Sequence, residues 1–254
     1  MGDEAPSKTP LHAWHQAHGG KMVGFGGWDM PLSYEAGTMA EHLATRRYGG
    51  MWDVSHMGRL RIRGAGRLAF LQHVLSNNAA ALGPWEAQYT LIPNERGGVV
   101  DDAYLYRFGE DDFIVVVNAS NLAGDLEHLR RHAAAFPEVQ VEDHTAGLAM
   151  IALQGPLTRE ILEGLIEEGS LPEPRRNALS AVTTGGAEIL LARTGYTGEP
   201  ICFELLVAAE QAEAVWEALA EAGAPRGLVA CGLGSRDSLR LEASLPLYGH
   251  ELGI

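Results

Sequence analysis

The chain has 254 residues and a formal net charge of -14, with 19 Lys and Arg against 33 Asp and Glu. That length buries substantial cores in one or two domains, while the acidic balance and the lack of a Lys/Arg-rich run argue against non-specific nucleic-acid binding. No apolar run reaches membrane-spanning length, and the start Met-Gly-Asp-Glu-Ala-Pro-Ser lacks both a secretory signal's basic and apolar regions and a transit peptide's arginines. A cytoplasmic protein with no membrane and no nucleic-acid partner is expected, with Cys202 and Cys231 as reduced thiols.

In chain order, Gly58 to Arg63 reads as a strand, Gly64 to Leu75 as a helix, and Ala87 to Arg107 as a hairpin around Asn94-Glu-Arg-Gly-Gly98. Phe113 to Val117 follows as a strand and Asn121 to Phe136 as a helix. The second half repeats the order: strand Leu148 to Leu153, helix Pro156 to Glu167, hairpin Ala187 to Val207, helix Ala208 to Ala222. Sliding one half on the other brings Gly64 onto Gly155 and Leu71 onto Leu162, both 91 positions apart (155 − 64 and 162 − 71). The expected fold is α+β, with duplicated strand-helix-hairpin-strand-helix units forming mixed or antiparallel sheets with helices packed on one face. The expected division is 52–140 for the first unit and 1–51 with 141–254 for the second. No Gly-x-Gly-x-x-Gly follows a strand, so a dinucleotide-binding fold is rejected.

Two patterns are set aside. His12, His15 and His18 are spaced three apart, but no Cys/His cluster completes a metal site, so they are expected on a solvated helix and no metal is expected. Asp53, Ser55 and His56 hold the residue types of a hydrolytic triad without a Gly-x-Ser-x-Gly elbow, and a hydrolase is rejected.

The informative stretch is Gly97-Gly98-Val99-Val100-Asp101-Asp102, which sets two adjacent carboxylates inside an apolar strand directly after a glycine turn. Burying a carboxylate is costly unless something binds it. Strand side chains alternate faces, so the two aspartates are expected to point opposite ways. Asp102 is then the candidate for chemistry, and Asp101 is expected to anchor the turn.

Phe25-Gly-Gly-Trp28-Asp-Met-Pro-Leu-Ser-Tyr34, Met51-Trp-Asp-Val-Ser-His-Met57, Arg193-Thr-Gly-Tyr-Thr-Gly-Glu199, Gly232-Leu-Gly-Ser-Arg-Asp-Ser-Leu-Arg-Leu-Glu242 and Leu247-Tyr248-Gly249-His250-Glu251 accompany the aspartate pair in register. From about Thr9 onward the chain resembles the glycine cleavage system T-protein, the tetrahydrofolate-dependent aminomethyltransferase family. The resemblance implies that a methylene unit passes from the aminomethyl group on the dihydrolipoyl arm of a lipoylated H-protein to tetrahydrofolate, with release of ammonia. It also implies Asp102 close to the reactive nitrogens of the folate, Tyr89, Tyr104, Tyr106 and Asn118 lining its pocket, Met57 packed under the pterin, and Arg236 at the active cavity.

A pterin presents N–H donors on its pyrimidine edge, which a carboxylate accepts at two points, and flat rings that need aromatic walls. By the resemblance Glu204 grips that edge. Relatives place this glutamate seven residues after the tyrosine, whereas Tyr196 to Glu204 is eight. One extra residue reverses strand facing unless a bulge absorbs it, which leaves Glu199 as the fallback. Tyr196, in a turn between two glycines, needs a contact to justify a loop aromatic. Arg236 competes between this site and ion pairs with Asp237 or Glu242, and Arg240 between the same cavity and a nearby carboxylate. The family's C-terminal β-rich, barrel-like domain is absent from this chain, and an apolar surface near Leu245, Leu247 and Tyr248 is expected. Two other activities stay open: a tetrahydrofolate-dependent demethylase of a small methylated substrate, and a non-enzymatic folate-binding protein of iron–sulfur assembly.

Overall fold

A computed structural model describes residues 5–253. Helix α1 (His12–Ala17) precedes the hairpin of β1 (Lys21–Phe25) and β2 (Trp28–Ser33), and α2 (Thr38–Arg47) leads into β3 (Gly49–Asp53). The chain continues through β4 (Gly58–Arg63), α3 (Arg67–Val74), β5 (Glu86–Pro93), β6 (Val99–Phe108), β7 (Asp112–Val117), α4 (Leu122–Ala133) and β8 (Gln140–Asp143). It then runs through β9 (Leu148–Gln154), α5 (Thr158–Glu163), β10 (Glu168–Gly169), β11 (Leu179–Thr184), β12 (Ala187–Ala192), β13 (Cys202–Ala208), α6 (Ala212–Gly223), β14 (Leu228–Ala230) and α7 (Leu233–Glu242).

The sheet orders display the duplication. One sheet runs β5-β6-β7-β4-β8 and the other β10-β11-β12-β13-β9-β3-β14, so β11, β12, β13, β9 and β14 repeat β5, β6, β7, β4 and β8, with β3 inserted between β9 and β14. Every pairing in these two sheets is antiparallel except β14 with β3. Gly64 and Gly155 occupy equivalent strand-to-helix corners, both at positive φ, and a Cβ on either would collide with backbone atoms of another segment. Leu71 and Leu162 are both buried on the core sides of α3 and α5.

Alternation along the buried strands generates the layers. In β7, Phe113, Val115 and Val117 enter one core with α3 and α4, while Ile114 and Val116 enter a second. In β9, Ala149, Ile151 and Leu153 pack with α5 and α6, whereas Met150 and Ala152 join Ile114 and Val116. The middle core therefore lies between the two sheets, and helices cover the outer faces. A continuous β-branched run such as Phe113-Ile-Val-Val-Val117 suits a strand covered on both sides.

Several sequence expectations are corrected. The helix expected from Gly64 starts at Arg67 because Gly64 and Gly66 are both left-handed, and the one expected from Pro156 to Glu167 shortens to α5. The tight hairpin of the second unit is β11–β12 around Gly185-Gly186, both at positive φ, and β12 reaches β13 through the long connection 193–201. Leu245, Leu247 and Tyr248 are half-buried; Leu241 of α7 is exposed, as are Met39 and Leu43 on α2, the helix that packs against α7. Cys202 and Cys231 are buried free thiols.

The solvated-histidine expectation fails for two of the three. His12 donates to Asp29 at 2.8 Å and is buried, whereas His18 is exposed and stacks on Trp14. His15 is wholly buried, donating through Nε2 to Asp53 Oδ2 at 3.0 Å and accepting from the Tyr34 hydroxyl at 2.8 Å. Burial would raise the Asp53 carboxyl, but the hydrogen bonds from His15 and the Ser55 N–H outweigh it and hold it down at about 2, below the usual carboxylate range. A carboxylate depressed in the folded state stabilises above its unfolded value and loses that contribution as pH falls through the folded one. Asp53→Asn should therefore cost about 2 kcal/mol near neutral pH. Melting curves should show that deficit closing between pH 3.8 and about 2, and a pH-independent deficit would reject the pair.

Candidate functional site

Strand β6 builds one wall of the site by simple alternation. Asp101, Ala103 and Leu105 face the helix-covered core, while Asp102, Tyr104, Tyr106 and Phe108 face the second sheet. The ring of Tyr89, from β5, meets Tyr104 at 5.9 Å and 65°, and Tyr104 stacks on Tyr106 at 5.7 Å and 24°. Tyr104 donates to Asn177 Oδ1 at 3.2 Å, and burial followed by the Glu204 charge pushes its hydroxyl up to about 12.

The two aspartates do point to opposite faces, but one side chain reaches both. Asn118, just past β7, donates through Nδ2 to Asp101 Oδ1 at 2.8 Å and to Asp102 Oδ1 at 2.7 Å. Asp102 Oδ2 accepts from the Tyr89 hydroxyl at 3.0 Å. Half-buried, the Asp102 carboxyl is raised, chiefly by burial and further by the Asp101 charge, against the lowering effect of the Tyr89 and Asn118 bonds. Asp101 does not anchor the glycine turn as expected. It is wholly buried and accepts the Asn118 backbone N–H at 2.9 Å and Asn121 Nδ2 at 2.9 Å. The turn is held by Asn94 Oδ1, which accepts from Arg96 and Gly98.

The second sheet supplies the opposite wall. Glu204 pairs in register with Ala192 and Ala152 and, nearly buried, accepts through Oε2 from Tyr106 Oη at 2.9 Å and from the Thr194 hydroxyl. Its Oε1 accepts from no donor among the described residues. Pairing of β13 with β9 runs without a register shift from Cys202 to Ala208, so no bulge falls between Cys202 and Glu204, and the residues from Tyr196 to Ile201 belong to the 193–201 connection. The fallback Glu199 is engaged elsewhere, bonded to Arg46 of α2 at 2.6 Å.

Tyr196 donates its hydroxyl to the Pro246 carbonyl at 2.5 Å, and the Arg236 guanidinium lies over its ring at 5.0 Å. Arg236 forms neither of the ion pairs weighed for it: Asp237 pairs with Arg240, and Glu242 with Arg46. Its Nη1 is buried without a hydrogen-bond partner among the described residues, and burial lowers its pKa against the opposing Glu204 charge. Arg240 is fully engaged, with Asp237 at 2.8 Å and Glu251 at 2.7 Å. Met57 packs at the margin of the inter-sheet core, and its carbonyl accepts from the buried Arg59.

Four neighbours escaped the sequence reading. Thr194 bonds Glu204, and Gln154 Oε1 accepts from the Thr197 hydroxyl at 2.6 Å and the Tyr196 N–H at 3.3 Å, pinning the loop. His56 is buried with Nδ1 unpartnered among the described residues, its pKa pushed down to about 4 by burial and by Arg236 and Arg59, with Phe25 edge-on at 5.6 Å. Asp125 is wholly buried behind Asp101. Its spacing from Leu122 and Leu129 places it on the buried face of α4, a signal the sequence does carry.

Residues 11–254 match the family described as the GCVT N-terminal domain. The chain is 51% identical over 245 residues to an aminomethyltransferase of Thermus thermophilus, covering 96% of this chain and 68% of that protein. It is 47% identical over 249 residues to one of Deinococcus deserti, covering 98% and 68%. A crystal structure of the glycine cleavage system aminomethyltransferase T from Bartonella henselae superposes with a TM-score of 0.86 at 35% identity, over 98% of this chain and 65% of that one. A heterotetrameric sarcosine oxidase from Corynebacterium sp. U-96, at 20% identity and a TM-score of 0.54, shares the fold. The chain thus spans about two-thirds of the length of its aminomethyltransferase relatives. With the fold, the full-length match and the identity in agreement, the chain belongs to the glycine cleavage T-protein family of tetrahydrofolate-dependent aminomethyltransferases.

Proposed function

We propose that this chain is the folate-handling part of an aminomethyltransferase that moves a methylene unit from the aminomethyl-dihydrolipoyl arm of H-protein to tetrahydrofolate, with release of ammonia. The observation that carries the reading is the state of Glu204: both protein donors sit on Oε2, and Oε1 is left for a donor from outside. The N–H edge of a pterin supplies such a donor. The tyrosines offer the flat walls its rings need, and Asp102 stands on the same face of β6 as Tyr106, four residues or about 13 Å away at the rise of a strand. The unpartnered Arg236 suits an anionic group of the folate or of the donor. These residues fit tetrahydrofolate, which when bound supplies the amine that accepts the one-carbon unit.

Each residue then has a proposed task. Glu204, Tyr106 and Thr194 hold the pyrimidine edge, Tyr89, Tyr104, Tyr196 and Met57 wall the rings, and Asn118 orients Asp102. Asp102 holds the folate N–H groups in line with the donor and favours the positive charge that develops on the transferred carbon, so orientation and electrostatics carry the rate rather than proton abstraction. Two units are proposed, 52–140 and 1–51 with 141–254, with the site between them. Among the described residues no helix is long and apolar enough to cross a membrane. The unpaired buried thiols fit a reducing compartment, and the cytoplasm is the proposed location. A demethylase and an iron–sulfur assembly role are not favoured by relatives named as aminomethyltransferases. Incubation with tetrahydrofolate and aminomethylated H-protein, assaying ammonia and methylene-tetrahydrofolate against a panel of methylated small molecules, tests the assignment. Turnover of a methylated compound alone would overturn it.

Glu204→Ala should weaken tetrahydrofolate binding by about 2–4 kcal/mol, roughly 30- to 1000-fold, because the charge-assisted contact at Oε1 is lost. Calorimetry on Glu199→Ala should show unchanged affinity, and the reverse pattern would move the anchor to Glu199.

Asp102→Asn keeps shape and much of the hydrogen bonding but removes the charge. Turnover should fall about 100-fold with little change in folate Kd, the pattern of an interaction made chiefly in the transition state. Burial raises this carboxyl, so the acid limb of kcat in the parent protein should lie above the ordinary carboxylate range and vanish in the variant. A fully active Asp102→Asn would sink the role.

A further inference from the structure

Main-chain pairing splices the two sheets together where corresponding strands begin. Glu86, at the start of β5, and Ala178, just ahead of β11, form an isolated antiparallel bridge. The Leu179 N–H donates to the Trp85 carbonyl at 2.9 Å and the Ala87 N–H to the Asn177 carbonyl at 2.8 Å, so the two segments exchange bonds reciprocally. Because β11 repeats β5, Trp85 and Asn177 hold corresponding positions in the two repeats, each one residue ahead of a bridged residue. Both have a positive φ, +63° and +66°. The left-handed backbone is therefore a demand of the splice, and both repeats meet it.

The side chains at these two positions are put to different use. The left-handed region favours glycine, and asparagine is among the few other residues that tolerate it. Tryptophan at the corresponding position of the first repeat shows that the splice also accepts a bulky side chain, so the backbone alone does not call for an amide at 177. The contact made by that amide is specific: Asn177 Oδ1 accepts from the Tyr104 hydroxyl of β6 at 3.2 Å, across the seam between the sheets. Tyr104 is the middle ring of a row, with Tyr89 at 5.9 Å and Tyr106 stacked at 5.7 Å, and Tyr106 donates to Glu204. The main chain of Asn177 meets another part of the site. Its N–H donates to the Arg193 carbonyl at 3.1 Å, directly ahead of Thr194, whose hydroxyl bonds the same Glu204 oxygen. One residue thus grips the aromatic row of one sheet and the 193–201 connection of the other.

We propose that Asn177 is a positioning residue of the folate pocket, its side-chain oxygen tying the Tyr104 hydroxyl across the seam and so holding the Tyr104 ring stacked on Tyr106 as a ready-made wall for flat rings. A tyrosine ring swings as a rigid body about two side-chain torsions, and a bond at its far oxygen removes that freedom. Without the bond the ring has to be ordered when a ligand arrives, which weakens binding without touching the chemical step. Engaged by Asn177, Tyr104 offers the cavity its ring rather than a free O–H donor. The inference rests on the reading of this cavity as a tetrahydrofolate pocket.

Asn177→Gly suits the left-handed backbone and removes the acceptor, so it separates the splice from the tether. Calorimetry should show its tetrahydrofolate Kd raised about fivefold, the effect of one neutral hydrogen bond. Its kcat at saturating folate should stay within about twofold of the parent, and its melting temperature should not fall. Tyr104→Phe keeps the ring and removes the donor of the same bond. It should raise the Kd by a similar factor, and adding Asn177→Gly to it should raise the Kd no further, because both variants break one contact. A role confined to the splice gives the opposite pattern, a lower melting temperature with an unchanged Kd. That pattern, or effects of the two substitutions that multiply in the double variant, would overturn the proposal. A parent protein that does not bind tetrahydrofolate would bring down the pocket reading and this inference together, whereas equally tight binding by the parent and Asn177→Gly would overturn this inference alone.

Discussion

The hydrogen bond from Tyr106 Oη on β6 to Glu204 Oε2 on β13 joins strand to strand across the seam between the two sheets at the site. Nearly buried, Glu204 would cost several kcal/mol without donors, so the positions of β6 and β13 are tied to each other through it. Both donors approach the same oxygen. The pairing therefore stabilises the charge without consuming the whole carboxylate, and a structural requirement of the seam leaves a recognition group behind. Everything else at the site is measured from these two strands.

The connection 193–201 is held from two directions. Gln154 grips the Tyr196 N–H and the Thr197 hydroxyl from inside, and Arg46 binds the Thr197 carbonyl and the Glu199 carboxylate from α2. Gly195 has to be glycine, because a Cβ there would lie 2.7 Å from both Cys202 Cβ and Gln154 Nε2. Held in this way, Tyr196 presents its ring to Arg236 of α7, whose charge has no carboxylate partner among the described residues. An unpaired, half-buried cation is expensive, and in the proposed reading its position beside Glu204, Tyr106 and Tyr196 is where the fold gives up stability for binding.

The acidic end of the site follows a different logic. Two carboxylates, Asp101 and Asp102, meet near the end of β7 and the start of α4, and two asparagines rather than cations hold them. Amide donors satisfy a carboxylate without neutralising it. In the proposed mechanism Asp102 therefore keeps its charge for a developing cation, whereas an arginine at Asn118 would cancel it.

Local chemistry wrote much of this into the chain. The period of two in β6 separates Asp101 from Asp102, the β-branched run of β7 announces a strand covered on both sides, and Gly64 and Gly155 mark equivalent corners of two repeats. The segments that carry Asp102, Tyr196, Glu204 and Arg236 were legible as motifs because each has its own short pattern. Other features were not legible. His15 looks solvated until Asp53, 38 residues away, is folded onto it, and Asp101 looks like a turn residue until Asn118 and Asn121 reach it from β7 and α4. The choice of Glu204 over Glu199 turned on whether an extra residue fell in a strand or a loop. Spacing along a chain sets which face a side chain occupies, because that depends on backbone geometry alone. Which donor or charge meets it there depends on segments far apart in sequence, and only their packing brings those together.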